Sequence, residues 1–187
     1  MNLDLFDNKN YNKETVLDFF DDSLKFENFN VLDLFSGCGG LSLGFKKAGF
    51  NIVGGVDFDE CSLETFKKNI SHKTLLLDLY EKDSLFELKK FLKSKKVDVL
   101  VGGPPCQGYS LTGTRNQNDP RNKLYNSMFD ILDIFSPSIV LIENVKGMST
   151  LYDGRAKKQI IEMFNVRGYK VDTSVLNSAN YGVPQVR

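Results

Sequence analysis

Short apolar runs alternate with stretches of helical periodicity along most of this 187-residue chain. Apolar positions spaced three to four residues apart, as in 124–135, predict amphipathic helices. Runs of Val, Ile and Leu predict strands that are buried on both faces. The stretches predicted to contain strands are 30–35, 52–59, 74–77, 97–101, 138–145 and 169–176. This alternation predicts an α/β fold with a doubly wound, mostly parallel sheet.

Composition and charge limit the class of protein. Residues 1–29 are acidic and rich in Asn, Asp and Phe, and we interpret them as an N-terminal extension, either a tail or a helix that covers a sheet edge. Lys and Arg together number 24, as do Asp and Glu, so the chain has no net positive charge that would favour binding to nucleic acid. The three cysteines form no C-x-x-C pair, which indicates a reducing compartment, and the single histidine predicts no metal site. Without a signal peptide or a membrane-length apolar run, a cytoplasmic protein is expected.

Two strand ends carry features of a nucleotide site. The first strand is followed by Ser36-Gly37-Cys38-Gly39-Gly40, a glycine turn whose backbone N–H groups can face a ligand. The third glycine of the dinucleotide fingerprint is replaced by Ser42. Asp57 ends the second strand, twenty positions after Gly37, which is the spacing at which an acid reaches ribose hydroxyls. The competing interpretation is an acidic helix N-cap region, a role that suits Asp59.

Two further strand ends predict catalytic groups. The stretch Gly102-Gly103-Pro104-Pro105 is a stiff path that delivers the thiol of Cys106 just beyond a buried strand. Its alternative role is a small buried cysteine in a rigid loop. Glu143 ends another apolar strand, where partial burial is expected to raise its pKa. It can otherwise serve as an N-cap for the following turn.

The order of these segments resembles the DNA cytosine-5 methyltransferase family. The resemblance rests on residues 35–40, 102–110, 143–145 and 180–187, and Tyr109 stands where Phe is usual. It implies the Rossmann-like fold of S-adenosylmethionine-dependent methyltransferases, truncated before its last strand. It also implies methyl transfer from S-adenosylmethionine to C5 of a flipped-out cytosine in double-stranded DNA, as in bacterial restriction-modification systems.

The resemblance also implies roles for individual residues. Cys106 would attack C6 of cytosine, Glu143 would share a proton with N3, and Arg187 belongs to the last motif. Asp57 would bind the ribose, Phe58 would stack on adenine, and Asp78 would accept from the adenine amino group or simply end a strand. The implied cofactor-binding residues are Phe35, Ser36, Gly37, Gly39, Gly40, Leu41, Asp57, Phe58, Asp78, Pro104 and Leu124.

Several parts of the family pattern do not occur in these 187 residues. They are a second arginine beyond Arg187, a further strand, a target-recognition domain and a final helix. We therefore expect residues 30–187 to be an incomplete catalytic domain, either a piece of a longer enzyme, which we favour, or one subunit that needs a second polypeptide. The alternatives from other classes are a cofactor-binding or regulatory module without activity and a nicotinamide-dependent dehydrogenase, which Ser42 and the cysteine loop disfavour.

Overall fold

The computed structural model describes residues 26–104, 123–145 and 154–185. One sheet contains five strands in the order β3-β2-β1-β4-β5, and every neighbouring pair is parallel. The strands are β1 (Asn30–Leu34), β2 (Asn51–Asp57), β3 (Thr74–Leu76), β4 (Val99–Gly102) and β5 (Ile139–Ile142). The predicted α/β fold with a parallel sheet is confirmed.

Helices cover both faces of this sheet. They are α1 (Gly40–Lys47), α2 (Glu60–Asn69), α3 (Ser84–Leu92), α4 (Lys123–Phe135) and α5 (Arg155–Asn165). One buried cluster joins apolar side chains of β1, β2 and β4 to those of α3, α4 and α5. A second cluster joins alternate residues of the same strands to α2, with side chains of α1 packed against it. Because successive strand residues point to opposite faces, the two clusters are the two sides of a doubly wound sheet.

The strand order changes direction between β1 and β4, which makes this the topological switch point of the sheet. From β1 the chain moves outward to β2 and β3, and it then returns to place β4 on the other side of β1. The carboxyl ends of β1 and β4 therefore flank a crevice, which is where open α/β sheets bind ligands. All four residues of β4 and the last four of β1 are buried, so this crevice lies at the end of two buried central strands.

The predicted strand over 169–176 is wrong, because residues 169–177 adopt no strand in the structure. The alternation in this segment reflects side-chain packing: Tyr169 and Val171 pack against the larger core cluster. The hydroxyl of Tyr169 donates to the carbonyl of Pro137 at 2.6 Å. An alternating pattern fixes which side chains face the core, but a strand also needs a backbone partner.

Strand β5 is the outermost strand on its side among the described residues. Ile139 is 55% exposed and Leu141 is 43% exposed. The sequence predicts that this strand is buried on both faces. In the structure its residues alternate between exposed and partly buried, so neither face is fully covered. Within the part of the chain that the structure describes, no helix is long and apolar enough to cross a membrane.

Helix α1 departs from the expected packing. Helical periodicity in 41–48 predicts that Leu41, Leu43, Phe45 and Ala48 face the core, but Leu43 and Ala48 are exposed, whereas Leu41 and Phe45 pack against the second cluster. Before β1, Phe26 lies in a short 3₁₀ turn and its ring stacks on Phe50 with 4.7 Å between centroids. The end of the N-terminal extension thus packs beside α1, and residues 1–25 lie outside the described residues.

Candidate cofactor and catalytic site

The turn between β1 and α1 runs through left-handed backbone angles. The φ angles are 55° at Phe35, 50° at Gly37 and 93° at Gly39. The N–H of Gly39 donates to the carbonyl of Ser36 at 2.9 Å, and Gly39 then caps α1 without any side-chain hydrogen bond. Gly39 therefore offers the first turn of α1 no capping side chain, and within this turn the backbone N–H of Ser42 bonds to Asp33 instead. A helix N-terminus without a capping side chain suits an anionic group of a ligand.

Asp57 joins this turn to the neighbouring strand. Its Oδ2 accepts a hydrogen bond from the N–H of Gly37 at 2.7 Å, and its Oδ1 accepts from the N–H of Asp59 at 3.0 Å. Each carboxylate oxygen has a second lone pair, so Asp57 can still accept from a ligand hydroxyl. The helix cap is Asp59, as expected, because its Oδ2 accepts from the N–H of Ser62 at 3.1 Å. The ribose role of Asp57 stays a prediction.

A cavity of about 210 Å³ opens at the carboxyl ends of β1, β2 and β3. Its lining residues are Phe35, Val56, Asp57, Phe58, Leu77, Asp78, Leu79, Tyr80 and Gly103. Four of the predicted cofactor residues lie here together, three of them in the turns after β1, β2 and β3. Phe58 is 72% exposed, so a face of its ring is available for stacking on a planar ligand.

Tyr80 is a lining residue that the sequence reasoning missed. Its N–H donates to Oδ1 of Asp78 at 2.9 Å, which closes a tight turn after β3. Partial burial of the phenol, and then the negative charge of Asp78, raise the pKa of Tyr80 above its usual value. The available signal was the aspartate two residues earlier, because an aspartate side chain commonly bonds the backbone two residues on and closes a turn. Asp78 itself is exposed.

The remaining predicted cofactor residues occupy different environments. Gly40 opens helix α1, whereas the side chain of Leu41 packs partly buried against the second core cluster. Ser36 is 8% exposed, and its hydroxyl has no hydrogen-bond partner among the described residues. Pro104 is buried at the end of β4. Leu124 belongs to α4, but its side chain lies outside what the structure describes.

The ends of β4 and β5 bring Glu143 beside the glycine–proline segment. The N–H of Glu143 donates to the carbonyl of Gly102 at 2.9 Å, and the side-chain amide of Asn144 donates to the carbonyl of Pro104 at 3.3 Å. A Cβ added to Gly103 would lie 3.2 Å from Oε2 of Glu143. Glycine at this position therefore lets the carboxylate approach the backbone that leads towards Cys106.

Glu143 does not have the burial that its strand pattern predicted. Its side chain is exposed because β5 lies at the edge of the described sheet rather than between two strands. Cys106 and Arg187, the other two predicted catalytic residues, lie outside the described residues. The catalytic arrangement of the three side chains therefore stays a prediction.

Asp33 and Ser42 form a buried pair that the sequence reasoning also missed. Asp33 is 1% exposed in β1, and its Oδ2 accepts from the hydroxyl of Ser42 at 2.6 Å. Loss of hydration raises the pKa of Asp33 to about 6, although hydrogen bonds from the side chain and backbone of Ser42 oppose the rise. The available signal was a single aspartate within an apolar strand, facing a serine where a glycine was expected.

A larger depression of about 430 Å³ lies at the opposite end of β5 and contains none of the predicted site residues. The side chain of Arg167 spans it, donating to both carboxylate oxygens of Asp133 at 2.7 and 2.9 Å. This ion pair holds the pKa of Asp133 below its usual value. It links α4 to the turn after α5, so we interpret the depression as a structural junction.

No group of side chains suited to a metal ion occurs within residues 26–104, 123–145 and 154–185. What these residues do offer is a set of groups that fits S-adenosylmethionine: a carboxylate with acceptor capacity and an exposed aromatic ring that line one cavity, and a helix N-terminus without a capping side chain in the turn that begins at Phe35. A parallel sheet that carries such a site at the ends of β1 and β2 defines the Rossmann-like class to which S-adenosylmethionine-dependent methyltransferases belong.

The comparison with protein families is more specific. Residues 29–187 match the family described as C-5 cytosine-specific DNA methylase, and the chain belongs to that family. The Type II methyltransferase M1.HphI of Haemophilus parahaemolyticus is 39% identical over 166 residues, which are 86% of this chain and 44% of that protein. The Type II methyltransferase M.FnuDI of Fusobacterium nucleatum is 42% identical over 158 residues, 84% of this chain and 44% of its own length. The chain thus spans less than half the length of these relatives.

Solved structures agree with the fold. A protein described as a DNA modification methyltransferase encoded within an E. coli prophage has a TM-score of 0.68 at 31% identity, covering 86% of this chain and 44% of its own. The Dnmt2 methyltransferase of S. pombe has a TM-score of 0.65 at 22% identity, covering 86% and 48%. A carbonyl reductase of Pseudomonas aeruginosa PAO1 in complex with NADP, at 16% identity and a TM-score of 0.53 over 74% of each chain, shows only that the sheet is of the general Rossmann-like type.

Proposed function

We propose that this chain supplies the cofactor site and the catalytic loop of a DNA cytosine-5 methyltransferase of the Type II restriction-modification kind. The observation that carries the proposal is the position of Gly103. Gly103 lines the cavity together with Phe35 and Asp57, and the Glu143 carboxylate lies beside it, since a Cβ added to Gly103 would be 3.2 Å from Oε2 of Glu143. The cofactor site and the catalytic carboxylate therefore meet at one residue, three positions before the thiol of Cys106.

The cofactor residues have defined tasks in this proposal. Asp57 accepts hydrogen bonds from the ribose, Phe58 stacks on the adenine, and Asp78 accepts from the adenine amino group. The cavity is smaller than the roughly 300–1,000 Å³ typical of ligand pockets, so we assign to it only the adenosine part of the cofactor. S-adenosylmethionine, when bound, supplies a methyl group on a sulfonium centre.

Cys106 carries out the covalent chemistry in this proposal. Its thiolate forms a bond to C6 of a flipped-out cytosine, and the electron pair moves to make C5 nucleophilic. C5 then accepts the methyl group. Loss of the C5 proton and departure of the thiolate restore the aromatic ring. Glu143 shares a proton with N3, so that charge does not accumulate on the base during the attack. Arg187 belongs to the same site in the family pattern.

Binding and opening DNA needs more than these residues offer. The chain has no net positive charge with which to attract phosphates, and it spans under half of its relatives. We propose that a target-recognition part is supplied either by further chain or by a second polypeptide, and that the 187 residues alone do not methylate DNA. We expect the protein to act in the cytoplasm, where its DNA substrate lies.

The test is methyl transfer by the protein at its natural length. Labelled S-adenosylmethionine and mixed-sequence duplex DNA should give labelled cytosine with the unsubstituted protein and none with Cys106→Ser. Cys61→Ser is the matched control, because Cys61 is an exposed free thiol on α2 and its loss should leave transfer unchanged. Retention of substantial transfer by Cys106→Ser would contradict the nucleophile assignment.

A second measurement separates an enzyme from a module that only binds cofactor. In the presence of S-adenosylmethionine, duplex containing 5-fluorocytosine should form a stable covalent complex with the unsubstituted protein, because after methyl transfer the fluorine at C5 cannot leave as a proton does. Cys106→Ser should form none. Addition of the 187-residue chain alone should give neither transfer nor complex. Transfer that appears only when a second polypeptide is added would support the two-subunit form of the proposal.

A further inference from the structure

Asp33 is a fully buried carboxylate in β1, close to the turn that leads into α1. It lies in the centre of the sheet, paired in register with Gly55 of β2 and Val101 of β4. Its Oδ2 accepts from the Ser42 hydroxyl, whereas Oδ1 is buried without a hydrogen-bond partner among the described residues. A buried carboxylate with an unsatisfied oxygen destabilises the fold, and an apolar residue would avoid that penalty.

The hydrogen bond between Asp33 and Ser42 gives a reason for a polar residue at position 33. Asp33 is two residues before Phe35, which lines the cavity, and Ser42 is the third residue of α1. Their hydrogen bond therefore spans the whole turn that contains Ser36, Gly37 and Gly39. Together with the bond from Gly37 to Asp57, it fixes the turn both to the strand beneath it and to the neighbouring strand.

Among the described residues that face Asp33, no cation neutralises its carboxylate, and the charged residues of α2, which are Glu60, Glu64, Lys67 and Lys68, are all exposed. On β2 the nearest charged group is Asp57, which is also negative and contributes to the raised pKa of Asp33. Strand β4 has no titratable residue within Val99–Gly102. On α1, Lys46 donates its Nζ to the carbonyl of Ile70, and Lys47 lies in the exposed last turn. The turn is therefore bordered by two carboxylates without a counter-ion in the described residues.

We propose that Asp33 is a positioning residue of the cofactor site, which in its ionised form holds the turn through Ser42 and favours the cationic methyl donor over its neutral demethylated product. This inference rests on the proposed function, because it assumes that the cavity takes S-adenosylmethionine. The donor carries a sulfonium, an ammonium and a carboxylate, a net charge of one, and S-adenosylhomocysteine lacks the sulfonium charge. A negative field in a low-dielectric site distinguishes the two.

Proton linkage gives the proposal a specific signature. A cation bound near Asp33 stabilises the ionised carboxylate, so binding releases a proton at pH values near the Asp33 pKa of about 6. The affinity for S-adenosylmethionine should then rise by about three- to tenfold between pH 5 and pH 8. The affinity for S-adenosylhomocysteine should rise less. A hydrogen bond that only stabilised the fold would give both ligands the same profile.

The experiment is calorimetric titration of the full-length protein with both ligands from pH 5 to pH 8. Asp33→Asn keeps an acceptor for Ser42 but has no charge, so it should flatten the profile and reduce the preference for the methyl donor. Ser42→Ala removes a hydrogen bond that lowers the pKa of Asp33, so it should move the midpoint to higher pH. Ser62→Ala is the matched control, because it removes a serine bonded to the exposed Asp59 and should leave the midpoint unchanged.

The outcomes are distinguishable. If the unsubstituted protein binds neither ligand at any pH, the proposed function fails and this inference fails with it. If it binds both with parallel profiles, or if Asp33→Asn keeps the original profile, only the inference is overturned. Nuclear magnetic resonance titration of the Asp33 carboxyl in the unsubstituted protein provides a readout that needs no variant to fold. A midpoint near 6 that falls when the methyl donor is added supports the inference, and an unchanged midpoint overturns it.

Discussion

The first two strand–turn–helix units of this protein, β1–α1 and β2–α2, shift the pKa of an aspartate in opposite directions. Each contains an aspartate that accepts a hydrogen bond from a serine hydroxyl, Asp33 from Ser42 and Asp59 from Ser62. The pKa of Asp33 is raised to about 6, mainly by burial, whereas hydrogen bonds from Ser62 lower the pKa of Asp59. Asp59 is exposed and loses almost no hydration. The serine hydrogen bonds therefore stabilise the ionised acid in both units, but burial outweighs them at Asp33.

The two units also begin their helices differently. Asp59 caps α2 with its side chain, in extended backbone, while Gly39 caps α1 with none, in left-handed backbone. The difference matches the use of each turn. In the α2 turn the Asp59 side chain accepts from the N–H of Ser62, whereas the α1 turn has no capping side chain and its Ser42 N–H bonds to Asp33. A helix N-terminus without a capping side chain suits a ligand, and its cap position is one that only glycine fits.

Substitution of Gly39 should have the largest effect on this comparison. A Cβ there would lie 2.7 Å from Cγ1 of Ile70 and 2.8 Å from Cδ2 of Phe66, at a φ of 93°. Left-handed backbone costs about 1–2 kcal/mol and overpacking about 1–3 kcal/mol, so Gly39→Ala should lower the free energy of unfolding by about 2–5 kcal/mol. Gly49→Ala is the control, since Gly49 has a φ of 89° and open space around it. Chemical denaturation should give the control only the backbone part; equal losses would show that the contacts with α2 do not matter.

Removal of the buried charge should have the next largest effect. The folded-state pKa of Asp33 lies above the ordinary value of 3.8, so its stabilising contribution is complete below pH 4 and is lost as the pH rises through about 6. Two pKa units correspond to about 3 kcal/mol. Asp33→Asn should therefore be more stable than the unsubstituted protein at pH 8, by about 1–3 kcal/mol, and the advantage should shrink towards pH 4. Unfolding curves at several pH values measure this, and a variant that is less stable at pH 8 would refute it.

Removal of the exposed cap should have the smallest effect. The pKa of Asp59 is lowered, so its stabilising contribution is present above the ordinary value of 3.8 and disappears as the pH falls through the folded-state pKa. Asp59→Ala should lower the melting temperature at pH 7 by only about 2–4 °C. Asp59→Asn keeps the capping oxygen and should recover most of the loss. Scanning calorimetry of both variants is the measurement; an effect as large as that of Gly39→Ala would remove the contrast between the units.

Much of the site was predictable because chain order and residue type determine it. The apolar runs predicted the five strands, and parallel connection places their carboxyl ends at one edge. The cavity accordingly contains Phe35, Asp57, Phe58 and Asp78. The cap at Asp59 was predictable for the same local reason, since its partner Ser62 is three residues away.

What the sequence by itself determined is therefore the local part: the α/β alternation, the turn after β1 and the acids at the strand ends. Only the tertiary structure decided which groups are buried. Asp33 and Ser42 are nine residues apart and meet because a turn folds α1 onto β1. Residues 169–176 do not form a strand, so β5 has no partner on its outer side within the described residues. Glu143, at the end of β5, is therefore exposed. Hydrophobic patterning depends on neighbours along the chain, whereas burial and pKa depend on neighbours in space.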